Sequence, residues 1–270
     1  MKAYDLMYDG LRLSDKNFTL CQFGQNGVET ISGAEINFNT VSTLNGQKHL
    51  LISSEFNEPL TSTFQICKNL CDYGGSEITI EEYRDITRWL NRNEFHKLKF
   101  IDADGEYANI WFEASFNISR IEIGGILVGF ELECHTNRPH GFRDSVVVNI
   151  KNLQAGEVKT IYSQSDQEGC LYPDEMQITI EADGDFKMYN DMEPDREMKI
   201  LNCKAGEVIT LSYPLIFSSL GESRETKIQN DFNWIFFRIA TQFKNRVNNI
   251  HTTLPCSIKM KYSPIIKVGI

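Results

Sequence analysis

From Ile110 to Thr136 the sequence reads IWFEASFNISRIEIGGILVGFELECHT, and its period decides the kind of fold this chain builds. Phe112, Ala114, Phe116 and Ile118 alternate with Glu113, Ser115 and Asn117, the spacing of a strand with one buried and one wet face. Gly124-Gly125 interrupts the run where a tight turn is needed. Beyond it Val128, Phe130, Leu132 and Cys134 alternate with Gly129, Glu131 and Glu133, so two antiparallel strands meet across the turn.

Moving towards the N-terminus, Leu98 and Phe100 lead into Asp104-Gly105, a hairpin turn signal. Before them the period is helical. Thr79 stands where its hydroxyl can cap free backbone N–H groups while Glu82 reaches back, and the helix body is expected over Glu81 to Asn93. Tyr83, Ile86, Trp89 and Leu90 form one apolar stripe, which predicts a helix packed on a sheet. The first thirty residues alternate apolar stretches (Tyr4 to Tyr8, Leu11 to Leu13, Phe18 to Phe23) with turn formers such as Asp9-Gly10. Asn45-Gly46, between Phe38 to Leu44 and His49 to Ile52, predicts a long projecting hairpin.

Towards the C-terminus, Thr136 to Asp144 (TNRPHGFRD) reads as an interdomain crossing. Short strands follow at sandwich-like intervals: Val146 to Ile150, Glu157 to Tyr162, Gln177 to Glu181, Phe186 to Tyr189, Glu197 to Leu201, Val208 to Leu211, Ile235 to Ala240 and Ser257 to Tyr262. The expected architecture is mainly β. An α+β N-terminal domain with one helix spans residues 1–138, and an all-β, jelly-roll-like sandwich spans residues 139–270. With 270 residues two domains are the natural expectation and a single domain the alternative.

Composition narrows the function classes. Hydrophobic residues make up 41% and charged residues 24%, as in an ordinary folded chain. The net charge of -10 argues against docking on a phosphate backbone, so no sequence-specific nucleic acid contact is expected. Met1 to Gly10 lacks the features of a secretory signal, which predicts synthesis in the cytoplasm. No apolar run approaches the ~20 residues of a membrane span. The longest, Ile121 to Leu132, is broken by Glu122, Gly124, Gly125, Gly129 and Glu131, and a soluble chain is expected.

The seven cysteines (Cys21, Cys67, Cys71, Cys134, Cys170, Cys203 and Cys256) include no CxxC pair, so reduced thiols are expected instead of a disulfide framework or zinc ribbon. Cys67 and Cys71 could share a helical face, but no further ligands stand at metal spacing. His135, His140 and Asp144 lie in the turn-rich crossing without an activated nucleophile. Asp102, Asp104 and Gly105 resemble the start of a calcium loop, yet Glu106 and Tyr107 occupy its next two positions, so Glu113 at position twelve completes nothing. Gly24, Gly27 and Gly33 make no phosphate-binding fingerprint. Asn17 and Asn117 match the glycosylation pattern by chance. Trp111, Phe112, Trp234, Phe236 and Phe237 read as core aromatics before they read as a sugar-binding face. The sequence assigns no catalytic, cofactor-binding or metal-binding residues.

Two ordered sets of residues carry a resemblance. The first is Arg88-Trp89-Leu90, Leu98-Lys99-Phe100, Trp111-Phe112 and Gly129-Phe130-Glu131-Leu132, ending in Thr136-Asn137-Arg138-Pro139. The second is Asp231-Phe232-Asn233-Trp234, Asn248-Asn249-Ile250 and Ile258-Lys259-Met260-Lys261-Tyr262. In order and spacing the chain resembles the distal tail protein of siphophages and related prophage tail components. The resemblance implies a non-enzymatic virion protein at the tail tip, assembled in the host cytoplasm. Its N-terminal domain would form a homohexameric ring on the tail tube protein, with a belt-like hairpin, matched here by Asn45-Gly46, clasping the neighbour. Its C-terminal domain would be a galectin-like sandwich facing outward, where receptor-binding proteins attach, while the tail-tip protein docks below. The rival is a carbohydrate-binding protein gripping surface glycans through the second domain. A hydrolase ranks last, because no carboxylate pair can be assigned.

Overall fold

The alternating residues on either side of Gly124-Gly125 meet in one core. Phe112, Ala114, Phe116, Phe130, Leu132 and Cys134 are all buried, together with Leu98 and Phe100. The computed structural model describes residues 3–21, 23, 36–43, 46, 49–56, 59–69, 75, 77–102 and 109–267. The chain divides into two compact units, Met1–Arg143 with Ile266–Ile270, and Asp144–Ile265.

The first unit contains β1 (Ala3–Tyr8), β2 (Leu11–Arg12), β3 (Phe18–Cys21), β4 (Ile36–Ser42), β5 (His49–Phe56) and β6 (Thr61–Lys68). Helix α1 (Ile80–Leu90), β7 (His96–Asp102), β8 (Ile110–Ile123), β9 (Ile126–Thr136) and β10 (Gly141–Arg143) follow. Seven strands line up in the order β2-β1-β7-β8-β9-β6-β3, and β10 pairs beside β8. The turn at Gly124-Gly125 has φ of 62° and 82°, which residues with a Cβ adopt only under strain.

Helix α1 is capped as its sequence dictates: the Thr79 hydroxyl accepts from the Glu82 N–H at 3.2 Å, and the Glu82 carboxylate accepts from the Thr79 N–H at 2.8 Å. Burial pushes the Glu82 carboxyl up, but hydrogen bonds from Lys68 and Thr79 outweigh this and hold it below the usual carboxylate range. The helix buries Ile86, Trp89 and Leu90 in the core of its unit. The Trp89 indole N–H donates to the Tyr8 carbonyl at 3.1 Å, tying the helix to β1. The helix ends at Leu90, three residues short of expectation, where the Asn91 side chain donates to the Phe116 carbonyl of β8.

Part of the expected crossing is sheet: Phe142 and Arg143 pair with Trp111 and Ile110. The preceding residues are clamps. The Thr136 hydroxyl bonds to the Leu60 and Arg138 carbonyls, and the Asn137 N–H donates to the Glu113 carbonyl at 3.0 Å. Ile266, near the chain's end, is buried in the first unit's core.

The second unit contains β11 (Val146–Leu153), β12 (Val158–Tyr162), β13 (Gly169–Leu171), β14 (Glu175–Ile180), β15 (Gly184–Asn190) and β16 (Glu193–Cys203). Then come β17 (Val208–Ser212), β18 (Leu215–Ser218), helix α2 (Glu222–Asp231), β19 (Ile239–Thr241), β20 (Val247–Thr252) and β21 (Cys256–Tyr262). A five-stranded sheet, β11-β21-β14-β17-β18, and a four-stranded sheet, β12-β20-β15-β16, send alternate residues into one core, while β13 pairs with β19. Ile178, Ile209 and Ile258 come from the first sheet, and Phe186, Met198 and Ile250 from the second.

Helix α2 departs from the all-β expectation. Its sequence, ESRETKIQND, has one aliphatic residue, the buried Ile228, so no apolar stripe announces it. Arg224 supplies the other buried contact, donating to Glu207, to Asp231 and to the Leu201 carbonyl. Likewise the strand expected over Ile235 to Ala240 forms only at Ile239–Thr241.

Candidate interaction surface

Strands β4 and β5 form a sheet of two, paired from Ile36 opposite Phe56 to Ser42 opposite His49. Among the described residues no third strand joins them. Cross-strand partners share a face, which places Phe38 beside Ser54 and Thr40 beside Leu51. Phe38, Leu51 and Ile52 are 62%, 58% and 67% exposed. Gly46 at φ 63° supplies the left-handed turn, and its N–H donates to the Thr43 carbonyl at 2.8 Å. Asn45 lies outside the described residues. Glu55 is the one acidic residue on the two strands, and neither holds Lys or Arg. A bare two-stranded ribbon is marginal in water, and a contiguous exposed apolar patch marks a surface that a partner covers.

The same unit carries a groove of about 500 Å³, lined by apolar Met7, Phe100 and Ile101 and cationic Arg12, Lys97 and Lys99. Strand alternation builds it. Leu98 and Phe100 enter the core, and the Asp9-Gly10 turn folds β2 back so that Met7 stands opposite both Arg12 and Lys99. Beside it the Lys97 ammonium lies 4.6 Å from the Trp111 ring centre, and Trp111 stacks on Phe142 at 4.7 Å. The Trp111 indole N–H donates to the Arg143 carbonyl at 3.1 Å. Three cations around one groove stand out on a chain of net charge -10.

Residues 1–138 match the family described as phage tail protein N-terminal domain, and residues 140–262 match that described as phage tail C-terminal domain. The chain belongs to this phage tail protein family. The crystal structure of the SPP1 Dit (gp 19.1) protein, described as a paradigm of the hub adsorption apparatus in phages infecting Gram-positive hosts, shares its fold. The TM-score is 0.64 at 13% identity, over 97% of this chain and 99% of that one. The phage P2 baseplate in its activated conformation with Ca aligns at a TM-score of 0.48 and 9% identity, over 96% of this chain and 97% of that one. No curated protein sequence matches.

The phage tail protein keeps the titratable residues of its crossing apart in role. His135 faces Glu133 at 3.3 Å and Asn117 at 3.2 Å, whereas His140 packs edge-on against Phe142. Both His140 ring nitrogens are buried and find no hydrogen-bond partner among the described residues. Burial, with Arg138 and Lys267 nearby, pulls its pKa down to about 4. Asp104, Gly105, Glu106 and Tyr107 lie outside the described residues, as do Gly24, Gly27, Gly33 and Cys71. Glu113 is engaged by the Asn137 amide. Cys67 sits in β6 opposite Thr19, on a strand and not on the helical face that its spacing from Cys71 suggests. Among the described residues no three His, Cys, Asp or Glu side chains converge as a metal site, and no helix is long and apolar enough to cross a membrane.

The aromatics divide. Phe112, Phe236 and Phe237 are buried as expected, but Trp234 is 52% exposed. The reason is local. The Asn233 side chain clamps the backbone of β16, donating to the Glu197 carbonyl at 2.8 Å and accepting from the Lys199 N–H at 3.0 Å. The next residue then adopts φ 58°, which turns the Trp234 ring outward. Asn248, marked in the sequence only by the resemblance, is a buried polar hub: its side chain accepts from Asn190 and the Ala240 N–H and donates to the Ala240 carbonyl.

Proposed function

We propose that this phage tail protein is a ring-forming hub at the tail tip, working by assembly and not by turnover. Residues 1–138 form a homohexameric ring on the tail tube protein, and residues 139–270, a galectin-like sandwich, face outward towards receptor-binding proteins. The tail-tip protein docks below, and assembly takes place in the host cytoplasm. The observation that carries the reading is the β4–β5 ribbon, whose Phe38, Leu51 and Ile52 stay exposed and need a neighbour to cover them. The family and the shared fold of the SPP1 hub protein support the setting. An acidic balance suits a passage along which DNA slides without sticking. Light scattering on the purified chain tests it: a mass of six 31.0 kDa chains is expected, and a monomer at every concentration, with or without tail-tube and tail-tip proteins, defeats it.

A second reading has its own observation. Trp234 is held outward in a left-handed backbone, the kind of strain that clusters at binding sites. A glycan array on the full chain tests a sugar-gripping role: specific binding lost in Trp234→Ala promotes it, and silence removes it.

A further inference from the structure

We propose that Cys21 and Cys67 form a redox modification site, a thiol pair that closes to a disulfide and staples the edge strand β3 to β6. The register places them. Thr19 stands opposite Cys67 and Cys21 opposite Gln65, so the two cysteines are diagonal neighbours on one face of an antiparallel pair. That face is turned away from the core, which takes Phe18 and Ile66 from the same two strands. On its other side Cys67 stands opposite Gly129, and the ring of Phe23 lies against that glycine. Both thiols are free and half-buried.

On a flat ladder diagonal neighbours stand about 7–8 Å apart, at the outer limit of what a disulfide spans. Strand twist shortens one diagonal, and here a hydrogen bond links the two thiols, so the sulfurs are already in contact. The remaining movement falls on β3, an edge strand of four residues whose far side pairs with no other strand among the described residues. The chain leaves β3 for the β4–β5 ribbon and returns through β6, so the bond closes residues 21–67 into one loop.

The oxidant is a low-molecular-weight disulfide. The Cys67 thiolate attacks one of its sulfurs and one thiol leaves; the Cys21 thiolate then attacks the Cys67 sulfur and the second thiol leaves. Two electrons pass to the external disulfide, and the two cysteine protons end on its released thiols. Burial and the hydrogen bond with Cys67 push the Cys21 thiol up, so the closing step is slow near neutral pH and quickens as the pH rises. The pair therefore persists reduced in a reducing cytoplasm and closes in an oxidising medium. Only this timing rests on the proposed assembly in the host; the bond does not.

The test incubates the folded full-length chain with oxidised glutathione at mildly alkaline pH, caps the remaining thiols with an alkylating agent and maps the peptides by mass. Two peptides joined through Cys21 and Cys67, two hydrogens lighter than the reduced pair, are expected, with amide exchange in β3 slowed roughly tenfold or more. Dithiothreitol should reverse both. Cys71→Ser should leave the link in place, and Cys67→Ser should leave Cys21 carrying glutathione alone. Separate capping of both thiols, a link from Cys67 to Cys71 in their place, or a link that forms only in urea overturns the pair. So does a link that leaves exchange in β3 as it was, since the strand is then not stapled. The wild-type map decides the matter even where a variant fails to fold, and a wild type that stays monomeric ends the ring reading without touching this one.

Discussion

The β8–β9 and β4–β5 hairpins obey the same local rules and end in opposite environments. Both are antiparallel pairs with left-handed glycines at the turn, at φ 62° and 82° in one and 63° in the other. In β8–β9, Phe112, Phe116, Phe130 and Leu132 enter a core shared with helix α1. In β4–β5, Phe38, Leu51 and Ile52 meet solvent. Burying a large apolar side chain contributes about 1.5–3 kcal/mol. The first hairpin gains this within the chain, and the second does not.

The comparison can be broken most directly by truncating one ring in each hairpin. Phe130 is fully buried between Phe18 and Tyr83, and Phe130→Ala should cost about 3–5 kcal/mol in urea unfolding. Phe38→Ala should change the monomer's stability by less than about 0.5 kcal/mol while weakening self-association. Equal losses would mean the ribbon is covered within the chain.

Backbone space sharpens the contrast at the next level. A Cβ on Gly129 of β9 would meet the Ile66 carbonyl oxygen at 2.7 Å and the Phe23 ring at 2.6 Å, so Gly129→Ala should cost about 1–3 kcal/mol. Gly46 faces open space, and Gly46→Ala there meets only the left-handed strain, about 1 kcal/mol, read as faster amide exchange in β4 and β5. Removing the cap of the helix that covers the β8–β9 core, Thr79→Ala, should lower thermal stability by about 1 kcal/mol.

A further effect is pH-dependent and lies just beyond β9. His140 is held near a pKa of about 4 against an ordinary 6.5, so the unfolded chain binds a proton between these values that the folded chain refuses. Its contribution is therefore full above pH 6.5 and declines as the pH falls to about 4. His140→Phe should flatten that part of the melting-temperature profile, and an unchanged slope would assign the acid sensitivity elsewhere.

Much of the first unit was legible because its signals are local. Period-two alternation found β8 and β9, and Thr79 with Glu82 marked the helix start within one residue. Asp9-Gly10, Gly124-Gly125 and the ribbon turn were legible from residue types that tolerate positive φ. Helix α2 was not, because what holds it is Arg224 reaching Glu207 and Asp231 seventeen and seven residues away. Trp234 looked like core for the same reason: the Asn233 clamp that turns it outward reaches 34 and 36 residues back to β16. Nor does the groove have a linear signature, since Arg12 joins Lys97 and Lys99 only when β2 folds onto β1 and β1 pairs with β7.

Alone, then, the sequence determined which segments extend, where they turn and which side chains want to leave water, since those depend on neighbours within a few residues. Only the tertiary structure decided which apolar faces find cover inside the chain. It buried β8–β9 and left the β4–β5 ribbon bare, because cover depends on which distant strands arrive to provide it.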